Sequence, residues 1–208
     1  MSDNPHELIL KTIREKAQLK LDVSNRAAEG FSKLKSTLSK MFGELRSSVR
    51  DFNSNSNIVN FIDKNEFEAE FSIVDDTLVF FLHTNVFTFE SNHEIWKSSY
   101  VQQDHSRSHC GKIYVYNFLS DSFKYNRTND IGYLIARIFI NKENHFFVEG
   151  KRQLGFLYND FANAKFDSEN VEKVVESVLL YSLDFDPYTP PYEQMSQLTV
   201  QDILNTTM

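Results

Sequence analysis

The feature that most constrains this fold is a long N-terminal stretch, from Glu7 to Phe52, that contains no proline and consists mainly of helix-forming residues. Apolar side chains recur along it in alternating steps of three and four residues, which places them on one face of a helix. They are Leu10, Ile13, Ala17, Ala27, Phe31, Leu34, Leu38, Met41 and Leu45. This a/d pattern predicts a coiled-coil-like amphipathic helix, with Lys20 and Ser24 as polar interruptions.

A single helix of about 45 residues would be close to 70 Å long, which exceeds the width of a small domain. It therefore either folds into a helical hairpin or projects to meet a partner. Gly30 and Gly43 are the expected break points, because glycine costs about 1 kcal/mol relative to alanine inside a helix. Three interpretations are open: helices packed on the rest of the chain, a coiled coil or partner-binding helix, and a basic helix on a membrane surface.

The large apolar side chains of this stripe are the predicted interaction surface. They are Leu10, Ile13, Phe31, Leu34, Leu38, Met41 and Leu45. Residues 1–52 hold 10 Lys and Arg against 7 Asp and Glu, whereas the remaining residues hold 12 against 22. We expect this mildly basic helix to bind a protein partner or to self-associate. No nucleic-acid partner is expected, because the net charge of −7 does not match the basic footprint of such proteins.

Residues 53–57 are a low-complexity run of Asn and Ser, which predicts a linker between the helical region (1–52) and a sheet domain (58–183). Segments rich in aromatic and β-branched residues follow, separated by short polar turns. The predicted strands cover residues 66–73, 78–82, 86–89, 113–118, 133–140, 145–148 and 154–158, with turns at 141–144 and 149–152. These short connections favour an antiparallel sheet of about six to eight strands.

One further helix closes the predicted sheet domain. Asp167 or Ser168 is its expected N-cap. Its apolar stripe, which we expect to pack across the sheet, consists of Val171, Val174, Val175, Val178 and Leu179. The predicted fold class is therefore α+β. Residues 184–208 contain three prolines and no Lys or Arg, and this acidic tail either packs on its own domain or docks on a partner.

The single cysteine, Cys110, excludes an intrachain disulfide and favours a reducing compartment. The first residues are polar, and no run of about 18 apolar residues occurs, so no membrane span is expected. The expected location is the cytoplasm.

The densest cluster of reactive side chains lies between Asp104 and Cys110. His105 and His109 are four residues apart, a spacing that on a helix brings two imidazoles together for a zinc ion. Cys110 could add a thiolate or act as a nucleophile beside a histidine. The neighbouring serines and Gly111 favour a polar loop instead, in which this spacing has no fixed geometry.

A second set of candidates follows the predicted strand at residues 145–148. Glu149 and Lys151 match half of a metal-dependent nuclease site, in which a strand presents an acid for the metal and a lysine for the attacking water. Such a site needs a further acid, and Asp121 and Asp130 are the nearest upstream candidates. The same residues are also ordinary turn chemistry.

Arg137 is a charged residue within the predicted apolar strand 133–140, and it has two interpretations. It pairs with a carboxylate on a neighbouring strand, or it binds an anionic ligand together with further cations. The carboxylates are Glu66, Glu68 and Glu70, and the further cations are Lys112 and Arg152.

The sequence contains no P-loop, GxGxxG, GxSxG, HExxH, EF-hand or CxxC motif, and no cofactor is predicted. The leading hypothesis is a non-catalytic protein–protein interaction or oligomerisation subunit of a larger intracellular complex. The first alternative is a ligand-binding or sensor domain that recognises a small anionic molecule. The second is a metal-dependent hydrolase or nuclease, and an enzymatic role is the less favoured hypothesis.

Overall fold

The computed structural model describes residues 4–50, 58–186, 192–195 and 199–200, so the predicted linker lies outside the described residues. The helices are α1 (Pro5–Arg50), α2 (Ser99–Gln103), α3 (Ser120–Lys124), α4 (Leu154–Leu157) and α5 (Ser168–Leu183). The strands are β1 (Val59–Asn65), β2 (Glu68–Ile73), β3 (Asp76–Phe87), β4 (Cys110–Leu119), β5 (Tyr133–Asn141) and β6 (Phe146–Gly150). Among these residues, no helix has both the length and the apolar character that crossing a membrane requires.

The six strands form one antiparallel sheet in the order β1-β2-β3-β4-β5-β6, so each strand pairs with its neighbour in the chain. α1 and α5 pack against each other and against one face of this sheet. The predicted α+β class, the antiparallel sheet and the C-terminal closing helix are confirmed. α5 begins as predicted, because the Asp167 side chain accepts a hydrogen bond from the backbone N–H of Asn170.

α1 is one continuous helix of 46 residues, so the hairpin alternative and the predicted breaks at Gly30 and Gly43 are wrong. Gly30 is buried, and a methyl group there would stand 2.8 Å from Cδ1 of Ile140. This glycine therefore allows the helix to approach the sheet closely, and the resulting packing outweighs its cost of about 1 kcal/mol relative to alanine. At Gly43 a methyl group would meet no atom within 4 Å, and the helix continues through it.

The main core lies between the two helices and the sheet face that they cover. The buried residues of α1 begin at Val23 and continue through Ala27, Phe31, Leu34, Leu38 and Met41. Those of α5 are the five apolar residues of its predicted stripe. Five of the predicted interaction residues therefore pack inside this chain. Four of them are buried, and the fifth is partly buried. They are Phe31, Leu34, Leu38 and Met41, with Leu45 beside them.

The predicted strands differ from the structure in three places. The predicted strands 78–82 and 86–89 correspond to one strand, β3, which ends at Phe87 and whose ladder with β4 is irregular between His83 and Phe87. Residues 154–158, predicted as a strand, contain helix α4. β1 is absent from the prediction, because its polar residues, mostly exposed, hide the alternation that marks a strand.

The predicted hairpin turn at residues 149–152 is also wrong. β6 ends at Gly150 and the chain continues into α4, so the turn joins a strand to a helix. Its left-handed residue is Arg152, with φ of 47°, and no glycine among the described residues has a positive φ. A four-residue apolar run such as Leu154–Leu157 carries no periodicity that separates strand from helix.

Asp76, at the start of β3, is a buried carboxyl group. Asn117 Nδ2 donates a hydrogen bond to its Oδ1 at 3.0 Å. Burial raises the pKa of Asp76, and hydrogen bonds from neighbouring side chains oppose this rise only in part. The folded-state pKa therefore exceeds the unfolded one. The stability that proton binding contributes is complete below the unfolded pKa and is lost as pH rises through the folded pKa.

We expect Asp76→Asn to raise the free energy of unfolding at pH 7 by on the order of 1 kcal/mol. The amide keeps the size and the acceptor oxygen of the carboxylate but removes its buried charge. Urea unfolding of both proteins at a series of pH values measures the effect, which should shrink as the pH falls and Asp76 becomes protonated. Asp22→Asn, an exposed change on α1, is the control, and a pH-independent gain from Asp76→Asn would contradict the prediction.

Candidate functional site

The sheet face opposite α1 and α5 is covered at one end by residues 89–109, and the candidate site lies at this end. Ile95 and Val101 pack there in a second apolar cluster with Phe139 of β5 and Phe147 of β6. The two phenylalanine rings stack with their centroids 4.9 Å apart. This smaller core holds residues 89–109 against the sheet.

A network of hydrogen bonds joins the same segment to the predicted turn at residues 141–144, which the structure confirms between β5 and β6. Tyr100 donates to Glu143 Oε2 at 2.8 Å, and Arg107 Nε donates to Glu143 Oε1 at 3.0 Å. The Arg107 guanidinium lies 4.3 Å from the centroid of the Tyr100 ring. Asn141, which is fully buried, donates to the Tyr100 hydroxyl at 2.9 Å.

The ionisation of this network suits a structural role. Burial raises the pKa of Tyr100, which keeps the phenol neutral. Burial also acts to raise the pKa of Glu143, but hydrogen bonds from Arg107 and Tyr100 outweigh it and lower that pKa. Lys142, 2.8 Å from Asp104, lowers the pKa of the Asp104 carboxyl. Each group thus keeps one protonation state around neutral pH. The network is therefore suited to stabilising the attached segment and not to transferring protons.

Glu149, on β6, is the centre of the candidate site. Arg137 lies directly opposite it on β5 and donates to Glu149 Oε2. His93 Nε2 lies 3.1 Å from Glu149 Oε1, and the backbone N–H of Ile95 donates to His93 Nδ1 at 3.2 Å. Because Nδ1 accepts a hydrogen bond, the proton of the neutral imidazole is assigned to Nε2, which donates to Glu149.

The pairing of Arg137 with Glu66, Glu68 or Glu70 is wrong. Those residues precede or belong to β2, which does not neighbour β5 in the sheet. Glu70 instead pairs with Lys64 at 3.1 Å. The correct partner, Glu149, follows from strand order and register, and both are non-local properties.

Glu149 lies between two depressions of the surface. One is a cleft of about 560 Å³ whose lining includes His93, Phe147 and Phe161. The other is a shallower hollow of about 210 Å³ lined in part by Arg137, Glu149 and Lys151. The structure therefore brings Arg137, the predicted ligand residue, close to Glu149 and Lys151, two of the predicted catalytic residues.

The additional acids proposed for a nuclease site have other contacts. Asp121 lies 3.7 Å from Arg127 Nη2, and Asp130 lies 3.6 Å from Arg127 Nε. Asp130 also accepts a hydrogen bond from Ser122 at 2.7 Å. In the part of the chain that the structure describes, no group of three or more His, Cys, Asp or Glu is placed to hold a metal ion.

The predicted histidine–cysteine cluster is divided between two environments. His105 begins a 3-10 turn and lies edge-on to Trp96, with ring centroids 5.8 Å apart. His109 follows that turn, and Cys110 is the first residue of β4. Cys110 is fully buried in the second apolar cluster, and burial raises the pKa of its thiol. A buried, protonated thiol is a poor nucleophile and a poor metal ligand.

The further cations suggested beside Arg137 contact other groups. Lys112 is buried, with Nζ 3.7 Å from the Phe87 ring centroid and 4.6 Å from that of Tyr114. Arg152 pairs with Asp184. Because Arg137 itself is engaged by Glu149, an anion at this site would have to displace an existing ion pair.

A separate candidate surface is the first part of α1, residues 5–22, here called the projecting segment. Its hydrogen bonds and ion pairs are made within the helix or with Asn4 immediately before it, and Val23 is the first buried side chain. Leu10 is 41% exposed and Ile13 is 57% exposed, so these two predicted interaction residues are accessible. Leu21, which the predicted stripe omits, is equally exposed and extends the same face.

Within the acidic tail, residues 184–208, the structure describes residues 184–186, 192–195 and 199–200. Tyr192 and Val200 are exposed there. Most of the predicted docking segment lies outside the described residues, so its role stays a prediction.

Comparison with known proteins adds no functional information. No protein-family model matches the sequence, and the curated proteins and the solved structures give no significant match. The function is therefore inferred from the side chains and surfaces of this chain.

Proposed function

We propose that this protein is a non-catalytic interaction subunit that binds a partner protein through the projecting segment of α1. The observation that carries the proposal is the helix that continues for roughly 27 Å before its first buried side chain. An isolated helix of this length is marginal in water, and its exposed apolar stripe is typical of an interaction surface. A partner that buries the stripe would supply the missing tertiary contacts.

The spacing of the stripe supports one particular mode of binding. Leu10, Ile13, Ala17 and Leu21 occupy positions i, i+3, i+7 and i+11, which lie along one side of a helix. Amphipathic helices that insert into an apolar groove of a partner present anchors at this spacing. The partner surface is therefore a groove that accepts about three turns of helix.

The charges beside the stripe define the chemistry of the groove. By helical spacing, Arg14 borders the stripe on one side, and Lys16 and Lys20 border it on the other. Glu15 and Asp22 lie on the opposite side of the helix, where Lys11 approaches Glu15 to 4.0 Å. The proposed partner therefore has an apolar groove with carboxylates along its rims, which would steer association and fix its direction.

Two other occupants fit the segment less well. A parallel pair of two copies would bring the cations that border the stripe, Arg14, Lys16 and Lys20, close to the same cations of the second copy, and these like charges repel. An anionic membrane surface favours helices with aromatic anchors and a polar face of Lys and Arg. The projecting segment has no Phe, Tyr or Trp, and its polar face includes Glu15 and Asp22.

The test starts with full-length protein that carries a photo-cross-linking amino acid in place of Ile13 or, as a control, of Leu8 on the opposite side of the helix. After illumination in native cells, the protein cross-linked from position 13 alone is identified and purified. Its affinity for the wild-type chain is then measured by calorimetry. We expect Leu10→Gln combined with Ile13→Gln to weaken binding by roughly 10- to 100-fold, because two anchors lose apolar burial.

Leu8→Gln is the matched control, because Leu8 is similarly exposed on the same helix but outside the stripe. We expect it to leave the affinity unchanged within about twofold. Three results would overturn the proposal: cross-links from both positions, equal affinity of the double variant and the wild type, and a dimeric mass by light scattering. The last result would make a second copy of this chain the occupant.

A further inference from the structure

We propose that the cleft beside Glu149 binds a small organic cation with an apolar body, such as an arylalkylamine. This inference is independent of α1 and goes beyond the proposed interaction function. The cleft has a volume of about 560 Å³, within the range of small-molecule sites. Its apolar lining includes Phe147, Phe161 and Ile95, all of which are held rigidly in the second apolar cluster.

The charge of the cleft decides the class of ligand. Among the residues that the structure describes, the carboxylates that line the cleft are those of Glu94, Glu149 and Asp160, and no Lys or Arg lines it. A cleft lined by charges of one sign concentrates ligands of the opposite sign. Three carboxylates would repel an anionic ligand. A neutral ligand would gain no ion pair with them.

The three carboxylates differ in whether a charged side chain already pairs with them. Glu149 is engaged by Arg137 and His93, and Glu94 lies 2.7 Å from Lys97 Nζ. Asp160 instead accepts hydrogen bonds at 3.0 and 3.2 Å from the neutral side-chain amide of Asn163. No cation pairs with Asp160 among the described residues. We therefore assign Asp160 as the anchor for an ammonium group.

The aromatic lining completes the recognition site. An ammonium at Asp160 would place its apolar body against Phe147 and Phe161, which are 8% and 6% exposed and pack edge to face with their ring centroids 5.1 Å apart. Aromatic faces bind both apolar groups and adjacent cations favourably. An organic amine therefore uses both features of the cleft, whereas an inorganic cation would use only the carboxylates.

The chain contains its own reporter for ligand binding. Trp96 is the only tryptophan, and it lies in the 3-10 turn Glu94–Lys97, which forms part of the wall of the cleft. Its indole N–H donates to the carbonyl of Glu90 at 2.8 Å, so the ring is held in place. A ligand in the cleft should change the fluorescence of this tryptophan.

The experiment uses three probes of nearly equal size on the full-length protein: 2-phenylethylamine, 2-phenylethanol and 3-phenylpropionate. Tryptophan fluorescence and calorimetry give the affinities. We expect the amine to bind at least about tenfold more tightly than the alcohol, and the carboxylate to bind most weakly, because only the amine carries a positive charge that pairs with the carboxylate of Asp160. Equal binding of the amine and the alcohol, or no binding of any probe, would overturn the proposal.

Three variants locate the site. Asp160→Asn should weaken amine binding by roughly tenfold and leave alcohol binding unchanged, because it removes only the charge. Asp22→Asn, the same change on the distant projecting segment, should have no effect. Ala162→Leu adds bulk to the cleft lining and should weaken both ligands. Amine affinity that is unaffected by both Asp160→Asn and Ala162→Leu would place any binding elsewhere and refute this assignment.

Discussion

Replacing Leu34 with alanine is expected to lower the free energy of unfolding by about 3 kcal/mol. Leu34 has no exposed surface and belongs to the main core between α1 and the sheet. The truncation removes buried apolar surface and leaves a cavity that the rigid sheet cannot close. Urea unfolding followed by circular dichroism measures the loss.

Leu10→Ala makes the same change on the same helix and is the control. Leu10 is 41% exposed in the projecting segment, so we expect a change within about 0.5 kcal/mol. A comparable loss at both positions would show that the segment is packed against the rest of the chain, and it would also count against the proposed function. The pair thus separates the part of α1 that supports the fold from the part available to a partner.

Gly111→Ala is expected to destabilise the protein by about 3 kcal/mol, because α1 crosses β4 at this glycine. A methyl group on Gly111 would overlap Cβ of Ala27, and the backbone oxygen of Val23 lies 3.8 Å from the same position. Both Cβ atoms are attached to the backbone of packed elements, so neither can rotate away. Thermal unfolding should show a correspondingly lower Tm.

Two variants test this explanation. A methyl group on Gly132 would also overlap a neighbour, but that neighbour is the ring end of the Phe118 side chain, which can rotate. Gly132→Ala should therefore cost less than about 1 kcal/mol. Adding Ala27→Gly to Gly111→Ala should recover part of the loss, reduced by the cost of glycine in a helix. Equal losses at Gly111 and Gly132 would refute the steric argument.

The elements that follow local rules could be predicted from the sequence. α5 combines a side-chain cap at Asp167 with a stripe of apolar residues at helical spacing, and both signals act within a few residues. The same holds for the turn at residues 141–144 and for the helical nature of α1. Residues 154–158 lack such a signal, and tertiary packing decides their conformation.

The candidate site could be predicted only in part. Arg137, Glu149 and Lys151 were recognisable as chemically capable residues, but their proximity depends on strand order and register. His93 and Asp160 carried no sequence signal, since a lone histidine in a loop and an aspartate beside an asparagine are common. The contacts of His93 with Glu149, and the place of Asp160 in the cleft lining, arise from segments far apart in the chain.

The sequence by itself determined that α1 is an amphipathic helix, since a period of three and four residues is a local property. Only the tertiary structure decided which part of the stripe meets the sheet. Residues from Val23 onwards face strands that lie far away in sequence, whereas the projecting segment extends past them. An apolar stripe specifies that a surface favours burial, but the surface that buries it is set by long-range contacts. The same physics leaves the first turns of α1 available to a partner.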